Sequence, residues 1–488
     1  MQLRDLLALS LVQAISSRLS QSVAIVLAVV ALAACTTTVL PPTETAPAKP
    51  VTVEVPVEVT VEVTRIVPQI VVEATPSPPQ SCAPSDFEDT EEIVIGAILP
   101  LSPSGNMLGG FAVQAALGIA IDEVNSSGGI RGLPVRLVTY DSRGRADDIP
   151  GLVSRLVRED CAVAIVGILH DTVATAAAAR ANAQNIPLII IGATTDEVPS
   201  HQYPMVYRIA PSATILAEMP AKWLVEVGDY NGDDTLSAVN VVDSRRVASP
   251  EIDSLDAKFA EFGIEYQTIP VDLPASDFSS VIARIASIGY VPDAILISIG
   301  DESALEIEEQ IRAANFGPQK GTLIVNNQAA LDSVRFWQVN PDGIGTVVSR
   351  IGPWHKTVAA PGQTFALKYA SYFGHWPEYY AFSGYDSIYL LADALARSET
   401  PIGEDVAAAL AKTDTMLASG HYYFPYTSPR SADQAQQPDY MWNQWPDIHT
   451  LYLQYDEVGQ QSSDMPVIWP KTYRSTDGPL SWTPSSED

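Results

Sequence analysis

Apolar and polar positions fall along this chain in blocks whose period changes. Residues 93–99 (IVIGAIL) form an unbroken apolar run, which predicts a strand buried on both faces. A Ser/Pro/Gly loop follows, then apolar residues at helical spacing over 112–124. The turn Gly128-Gly129 leads into a second strand, 134–140, ending on Asp141. Parallel strands need a crossover helix, so this is a βαβ unit. The alternation continues with a helix at 149–159, a strand at 162–167, an Ala-rich helix at 172–185 and a strand at 187–191. A second set follows, with helices at 214–227, 251–262, 277–289 and 303–315 between strands at 236–242, 264–271, 293–300 and 322–325. Later, 381–397 and 402–412 read as helices, and 450–455 and 466–470 as strands. The pattern predicts an α/β fold of two doubly wound parallel-sheet lobes, in which a ligand sits beyond the carboxyl ends of the strands.

Composition narrows the partners. At 47% hydrophobic and 18% charged, the chain is a folding sequence, and its 488 residues leave room for two cores. A net charge of −30 disfavours nucleic acid, which needs clustered Lys and Arg, and disfavours lying flat on anionic lipid. The six histidines show no ligand spacing, so no metal is expected, and no cofactor motif is found.

The N-terminal region has another character. Arg4 and Arg18 flank weakly polar sequence, and residues 22–34 form an apolar run too short for a comfortable membrane span. The run ends Leu32-Ala33-Ala34-Cys35, which resembles a bacterial lipoprotein processing box. That resemblance implies a signal peptide over 1–34, cleavage before Cys35 and lipid on its sulfur, leaving a soluble protein tethered outside the cytoplasmic membrane. Residues 35–91 are dense in Pro and Thr, and every odd position from 51 to 63 is Val. Strict alternation suits a strand, but Pro56 and the flanking proline clusters favour an extended stalk. With Cys35 lipidated, Cys82 and Cys161 remain, each shortly before a strand of the first sheet. A disulfide at that amino edge is expected in an oxidising compartment, against the alternative of two inert thiols.

The order LPLS, a Gly, DEVNSSGGIRG and then YDSRG is more specific. It resembles the start of the Leu/Ile/Val-binding type of solute-binding protein, which serves ABC importers and has the type I periplasmic-binding-protein fold. MVYRIAPSA (205–213) resembles that family's exit from the first lobe, and 381–386 opens the helical block that crosses back. The resemblance implies three passages through a hinge, near 212, 348 and 420. Lobe 1 would comprise 92–211 with 349–420, and lobe 2 would comprise 212–348 with 421–470, followed by a tail over 471–488.

The same resemblance nominates cleft residues. Ser102 and Leu108 match positions where the family approaches its ligand, in a loop whose backbone N–H groups suit an anion. Asp171 stands where amino-acid binders carry Ser; it either caps the helix beginning at Thr172 or meets an amine or hydroxyl. Gly192 and Thr194 match the family's third loop, and Tyr380 its aromatic contact. In lobe 2, Asp301 replaces a frequent Tyr, and Asn327 replaces an acid that would neutralise an ammonium. Each also has a plain structural role open to it: turn, cap or core packing.

A membrane-tethered receptor is expected, monomeric, closing on a small polar solute and docking on an ABC permease. Asp171, Asp301 and Asn327 favour an amine-bearing molecule over a plain aliphatic amino acid. A ligand sensor without transport remains an alternative. A hydrolase is disfavoured, because no G-x-S-x-G, H-E-x-x-H or P-loop occurs and the adjacent acids Asp301-Glu302 would point apart.

Overall fold

A computed structural model describes Cys82 and residues 86–103, 106–427, 437–448 and 450–480. Cys35, the leader and the stalk as far as residue 81 lie outside the described residues; the end of the expected stalk is folded, because Phe87, in a short 3-10 turn over Phe87–Asp89, is buried in the first lobe's core and Arg131 lies over its ring at 4.4 Å.

The first sheet has the order β2-β1-β3-β4-β5 and is parallel throughout. Its strands are β1 (Ile93–Leu99), β2 (Val135–Asp141), β3 (Ala164–Gly167), β4 (Leu188–Ile190) and β5 (Val206–Arg208). β1 is buried along its whole length because helices cover both faces, which is why its sequence does not alternate. The crossovers are α1 (Met107–Ser126), α2 (Ile149–Arg158), α3 (Asp171–Ala183) and the short α4 (Glu197–Ser200). α1 starts at 107 rather than 112 because the Asn106 side chain caps it, accepting from the Gly109 amide at 3.0 Å. The helix start also presses on the preceding loop: a Cβ at Gly110 would lie 2.1 Å from the Pro100 carbonyl oxygen. Among the described residues, α1 is the one helix long and apolar enough to cross a membrane. Here its apolar side chains Val113, Leu117 and Ala120 join the first lobe's core. A disulfide joins Cys82 to Cys161, Cα atoms 4.9 Å apart, and ties the entry segment to the turn before β3.

The chain leaves the first sheet after β5 and enters α5 (Ala213–Val227), capped by Ser212, whose Oγ accepts from the Ile215 amide at 2.9 Å. The second sheet has the order β14-β13-β10-β9-β8-β6-β7. Its parallel part is β6 (Ser237–Asp243), β7 (Glu265–Val271), β8 (Ala294–Ser298), β9 (Leu323–Asn326) and β10 (Val347–Ile351). Helices α6 (Pro250–Glu261), α7 (Ser279–Ala286), α8 (Ser303–Ala313) and α9 (Ser333–Val339) connect these strands. α10 (Ala360–Phe373), α11 (Tyr379–Arg397) and α12 (Gly403–Leu410) then pack on the first lobe. At Gly384 the close approach of α11 to α1 leaves no room for a side chain, since a Cβ would sit 3.1 Å from Val113 Cγ1.

Two expectations need correction. Residues 347–351 form a strand, so the second passage comes after Ile351 and not near 348. Ser349 and Arg350 break the apolar run that would have announced it. The third passage is not near 420. There the hairpin β11 (Asp414–Met416) and β12 (His421–Tyr423) folds onto α11, and Tyr422, Phe424, Trp445 and Ile448 all belong to the first lobe's core. The chain rejoins the second sheet at β13 (Thr450–Gln454), antiparallel to β10, and β14 (Val467–Trp469) lies against β13.

Candidate functional site: the gap between the sheets

The carboxyl edge of the first sheet presents four loops, each fastened by side chains. After β1, the Leu101 amide donates to Asp141 at 2.8 Å and the Ser102 hydroxyl donates to the same carboxylate. Burial raises the Asp141 pKa, but the bonds from Ser102, Leu101 and Arg143 outweigh it and hold the group below the usual carboxylate range. Ser102 is thus anchored to the end of β2. Leu108 lies on the first turn of α1, 78% exposed.

The loop after β3 departs from its expected chemistry. α3 begins at Asp171, one residue before Thr172, and the capping position is His170. The Asp171 carboxylate does not cap its own helix. It reaches the loop after β4, accepting from the Thr194 amide at 2.6 Å, the Thr195 amide at 3.0 Å and the Thr194 hydroxyl at 3.2 Å. Thr172 is exposed on the outer side of that turn. The His170 ring accepts from the Asn106 amide at 3.3 Å, joining the β3 loop to the start of α1. Gly192 is required by contact: a Cβ there would lie 2.9 Å from Tyr380 Cε1 and 3.1 Å from Leu169 Cα. Asp171, Gly192, Thr194 and Tyr380 therefore form one cluster with Asn106 and His170.

Arg208 supports that cluster from behind, and sequence reasoning passed over it. It is 2% exposed and donates to the carbonyls of Thr194 (3.0 Å) and Thr195 (2.5 Å) and to the Gln444 side chain. Asp196 stands 3.6 Å away. Burial lowers the Arg208 pKa to about 10, with Asp196 and Asp171 opposing the shift, so the side chain keeps its charge at neutral pH. The signal for it was a lone cation inside the apolar run MVYRIAP.

The second sheet's edge brings fewer free groups. Asp301 is exposed and accepts the Ser303 amide at 2.9 Å, closing the turn into α8. Asn327 accepts from the Ser349 amide (2.8 Å) and hydroxyl (3.1 Å). β9 and β10 share a single register pair, Val325 with Val347, so the Asn327 side chain continues their pairing where the backbone ladder stops. Asp243 is engaged by the Arg245 guanidinium at 3.0 and 3.1 Å. The acids and amide that favoured an amine ligand are thus occupied within the chain.

What does stand in the gap was not foreseen. Arg350, near the end of β10, lays its guanidinium over the Trp354 ring, 4.3 Å from the centroid. His355 stacks on Trp376 at 4.2 Å and 7°, and meets Trp354 at 4.3 Å. Trp354 packs into the second lobe, whereas Trp376 packs against α1 and α10 of the first. Burial, with Lys356 and Arg350 adding to it, pulls the His355 imidazole down to about 4, so Arg350 carries the charge of this bridge. The following residues close on the first lobe, where the Tyr379 hydroxyl donates to the Ile191 carbonyl at 2.7 Å. Among the described residues, no group of three or more His, Cys, Asp or Glu could hold a metal.

Two doubly wound lobes with facing carboxyl edges and three connecting passages define a type I periplasmic-binding-protein fold. The family model for periplasmic binding proteins matches residues 92–443, and the chain belongs to that family. The chain is 29% identical over 133 residues to Leu/Ile/Val-binding protein homolog 7 of Brucella suis, and 30% identical over 138 residues to homolog 8 of Brucella abortus. Those matches span 27% and 28% of this chain and 33% of each relative, a third of the relatives' length. Among solved structures, the substrate-binding protein LivJ of the Streptococcus pneumoniae branched-chain amino acid transporter, in complex with isoleucine, superposes with a TM-score of 0.57 at 20% identity, covering 78% of this chain and all of LivJ. A solute-binding protein from R. palustris in complex with benzoate gives 0.56 at 19% identity, covering 78% of this chain and 98% of that one. At these identities the likeness is one of fold.

Proposed function

We propose that this protein is the solute-binding receptor of an ABC importer, held outside the cytoplasmic membrane by lipid on Cys35 and a stalk over 35–81. The lobes close on a small molecule by bending at the passages after Ile209, after Ile351 and before β13, and the closed form docks on the permease. The single observation that carries the reading is that the Asp171–Thr194–Tyr380 cluster ends one sheet and the Arg350–Trp354 pair ends the other, with His355 of the second lobe's connection stacked on Trp376 of the first. The two solved proteins named above hold isoleucine and benzoate; both carry a carboxylate and an apolar group, and isoleucine carries an ammonium as well. The test is calorimetry with isoleucine and benzoate, combined with small-angle scattering. The expected outcome is saturable binding accompanied by a smaller radius of gyration; a scattering profile unchanged by every bound solute would refute it.

A further inference from the structure

The Arg350 side chain makes no hydrogen bond and no ion pair among the described residues, and its Nε is buried without a partner. The buried indole Nε1 of Trp354 beside it is unpartnered too. Buried donors are almost always satisfied, and a guanidinium taken out of water without an acceptor is costly. Its pKa is lowered by that burial, and only the more distant Glu378 acts against the shift. Other half-buried or buried arginines of this fold find partners: Arg208 binds two carbonyls and Gln444, and Arg312 binds Glu308 at 2.9 Å.

The Trp354 ring lies 4.3 Å from the guanidinium carbon and takes up space on that side of it. The edge that remains is a planar fork of N–H donors, the shape that takes a carboxylate with two parallel bonds. Strand alternation puts Arg350 on the same face as Val348, whose core cluster contains Trp354 and Ala329. That position lies at the carboxyl edge of the second sheet, next to Ser349, which bonds Asn327, and within reach of the charge of Glu378, the residue before α11.

We propose that Arg350 is the anion-binding residue of the gap, and that the ligand is a small organic carboxylate whose oxygens occupy the guanidinium fork while its apolar body lies against the aromatic bridge. This rests on the receptor reading above and reverses the amine preference drawn from Asp171, Asp301 and Asn327. It also assigns Trp354 a positioning role, as the surface that holds the guanidinium plane.

The test uses matched probes: isoleucine with isoleucinamide, and benzoate with benzamide, titrated calorimetrically into the full folded protein, its Arg350→Gln and Arg350→Lys variants, and Glu378→Gln. At least one carboxylate is expected to bind the wild type, and its amide about tenfold to a hundredfold more weakly. Arg350→Gln is expected to erase that difference, and Arg350→Lys to restore part of it. Glu378→Gln is expected to leave or strengthen carboxylate binding. Near-ultraviolet circular dichroism checks that the variants keep their tryptophan packing. Amides bound as tightly as acids, an Arg350→Gln variant that still prefers the acid, or a wild type silent to all four probes overturns the proposal. Loss of carboxylate binding in Glu378→Gln overturns it as well, by making Arg350 the partner of that acid in a closed form. If the amides bind and shrink the radius of gyration, the receptor reading stands and the Arg350 assignment alone fails.

Discussion

The Asp171 carboxylate accepts the Thr194 amide at 2.6 Å, across the carboxyl edge of the first sheet. That bond, with the second one from the Thr195 amide, holds the β4 loop in place. An acid spent in this way shapes the site without reading the ligand. Asp171→Asn can keep both amide bonds through its carbonyl and loses only their charge assistance, for about 1 kcal/mol. Asp171→Ala leaves both donors unmet, for about 2–3 kcal/mol. Urea denaturation measures both losses. The order of preference among isoleucine, benzoate and their amides is expected to be the same in Asp171→Asn as in the wild type; a reordering would return Asp171 to direct ligand contact.

Gly192 and Tyr380 make a second pair whose coupling can be measured. The Cβ of Gly192→Ala would meet the Tyr380 ring at 2.9 Å and the Leu169 backbone at 3.1 Å, so either the ring or the loop must move. Overpacking of this kind costs about 1–3 kcal/mol. Tyr380→Leu removes the ring edge, so the double variant is expected to lose less than the sum of the two single losses. Additive losses would mean that the ring does not rest on the glycine.

Much of the fold was legible because its strands are short apolar blocks between helical periods, and β1 to β4 and β6 to β9 lie within or beside their expected positions, whereas the three-residue β5 was read only as the exit from the first lobe. What escaped was structure whose logic is not periodic. β10 carries Ser349 and Arg350 in its middle, and its pairing is completed by a side chain, Asn327, so no apolar run marks it. The β11–β12 hairpin is held on α11 by one buried acid, Asp386. In the site, Gly192, Thr194 and Tyr380 were nominated by the family resemblance, and the structure brings them together beside Asp171. The partners of Asp171 and the isolation of Arg350 depend on loops far away in sequence, which no local pattern encodes.

Arg208 links those distant parts, bonding the Thr194–Thr195 loop to Gln444, which lies just before the third passage. Arg208→Met would leave two carbonyls and the Gln444 side chain without their donor and Asp196 without its nearby cation. A loss of about 3–5 kcal/mol is expected, as for breaking a buried charged network from one side. Ligand binding should fall with it, because the β4 loop loses its rear support. Arg208→Lys restores the charge without the fork and should recover only part of the stability. A fully stable Arg208→Lys variant would show that charge alone suffices.

Asp386 offers a pH-dependent test of the first lobe. Its carboxylate is fully buried beneath the hairpin and accepts from the amides of Ala418 (2.9 Å) and Ser419 (2.8 Å) and from the Tyr422 hydroxyl (2.9 Å). Burial pushes its pKa up to about 6, and the bonds from Ser419, Ala418 and Tyr422 only partly offset that rise. A folded-state pKa above the unfolded value of about 3.9 means that the native state holds its proton more tightly than the unfolded chain. The resulting stabilisation is fully present below about pH 4 and is lost as the pH rises through about 6, a change on the order of 3 kcal/mol. Asp386→Asn cannot titrate. The stability of the wild type minus that of Asp386→Asn should therefore shrink by about this amount between pH 4 and pH 7, measured by urea denaturation at matched salt. Curves that stay parallel across the interval would mean that Asp386 titrates in the folded protein as it does in the unfolded chain, with its hydrogen bonds cancelling the effect of burial.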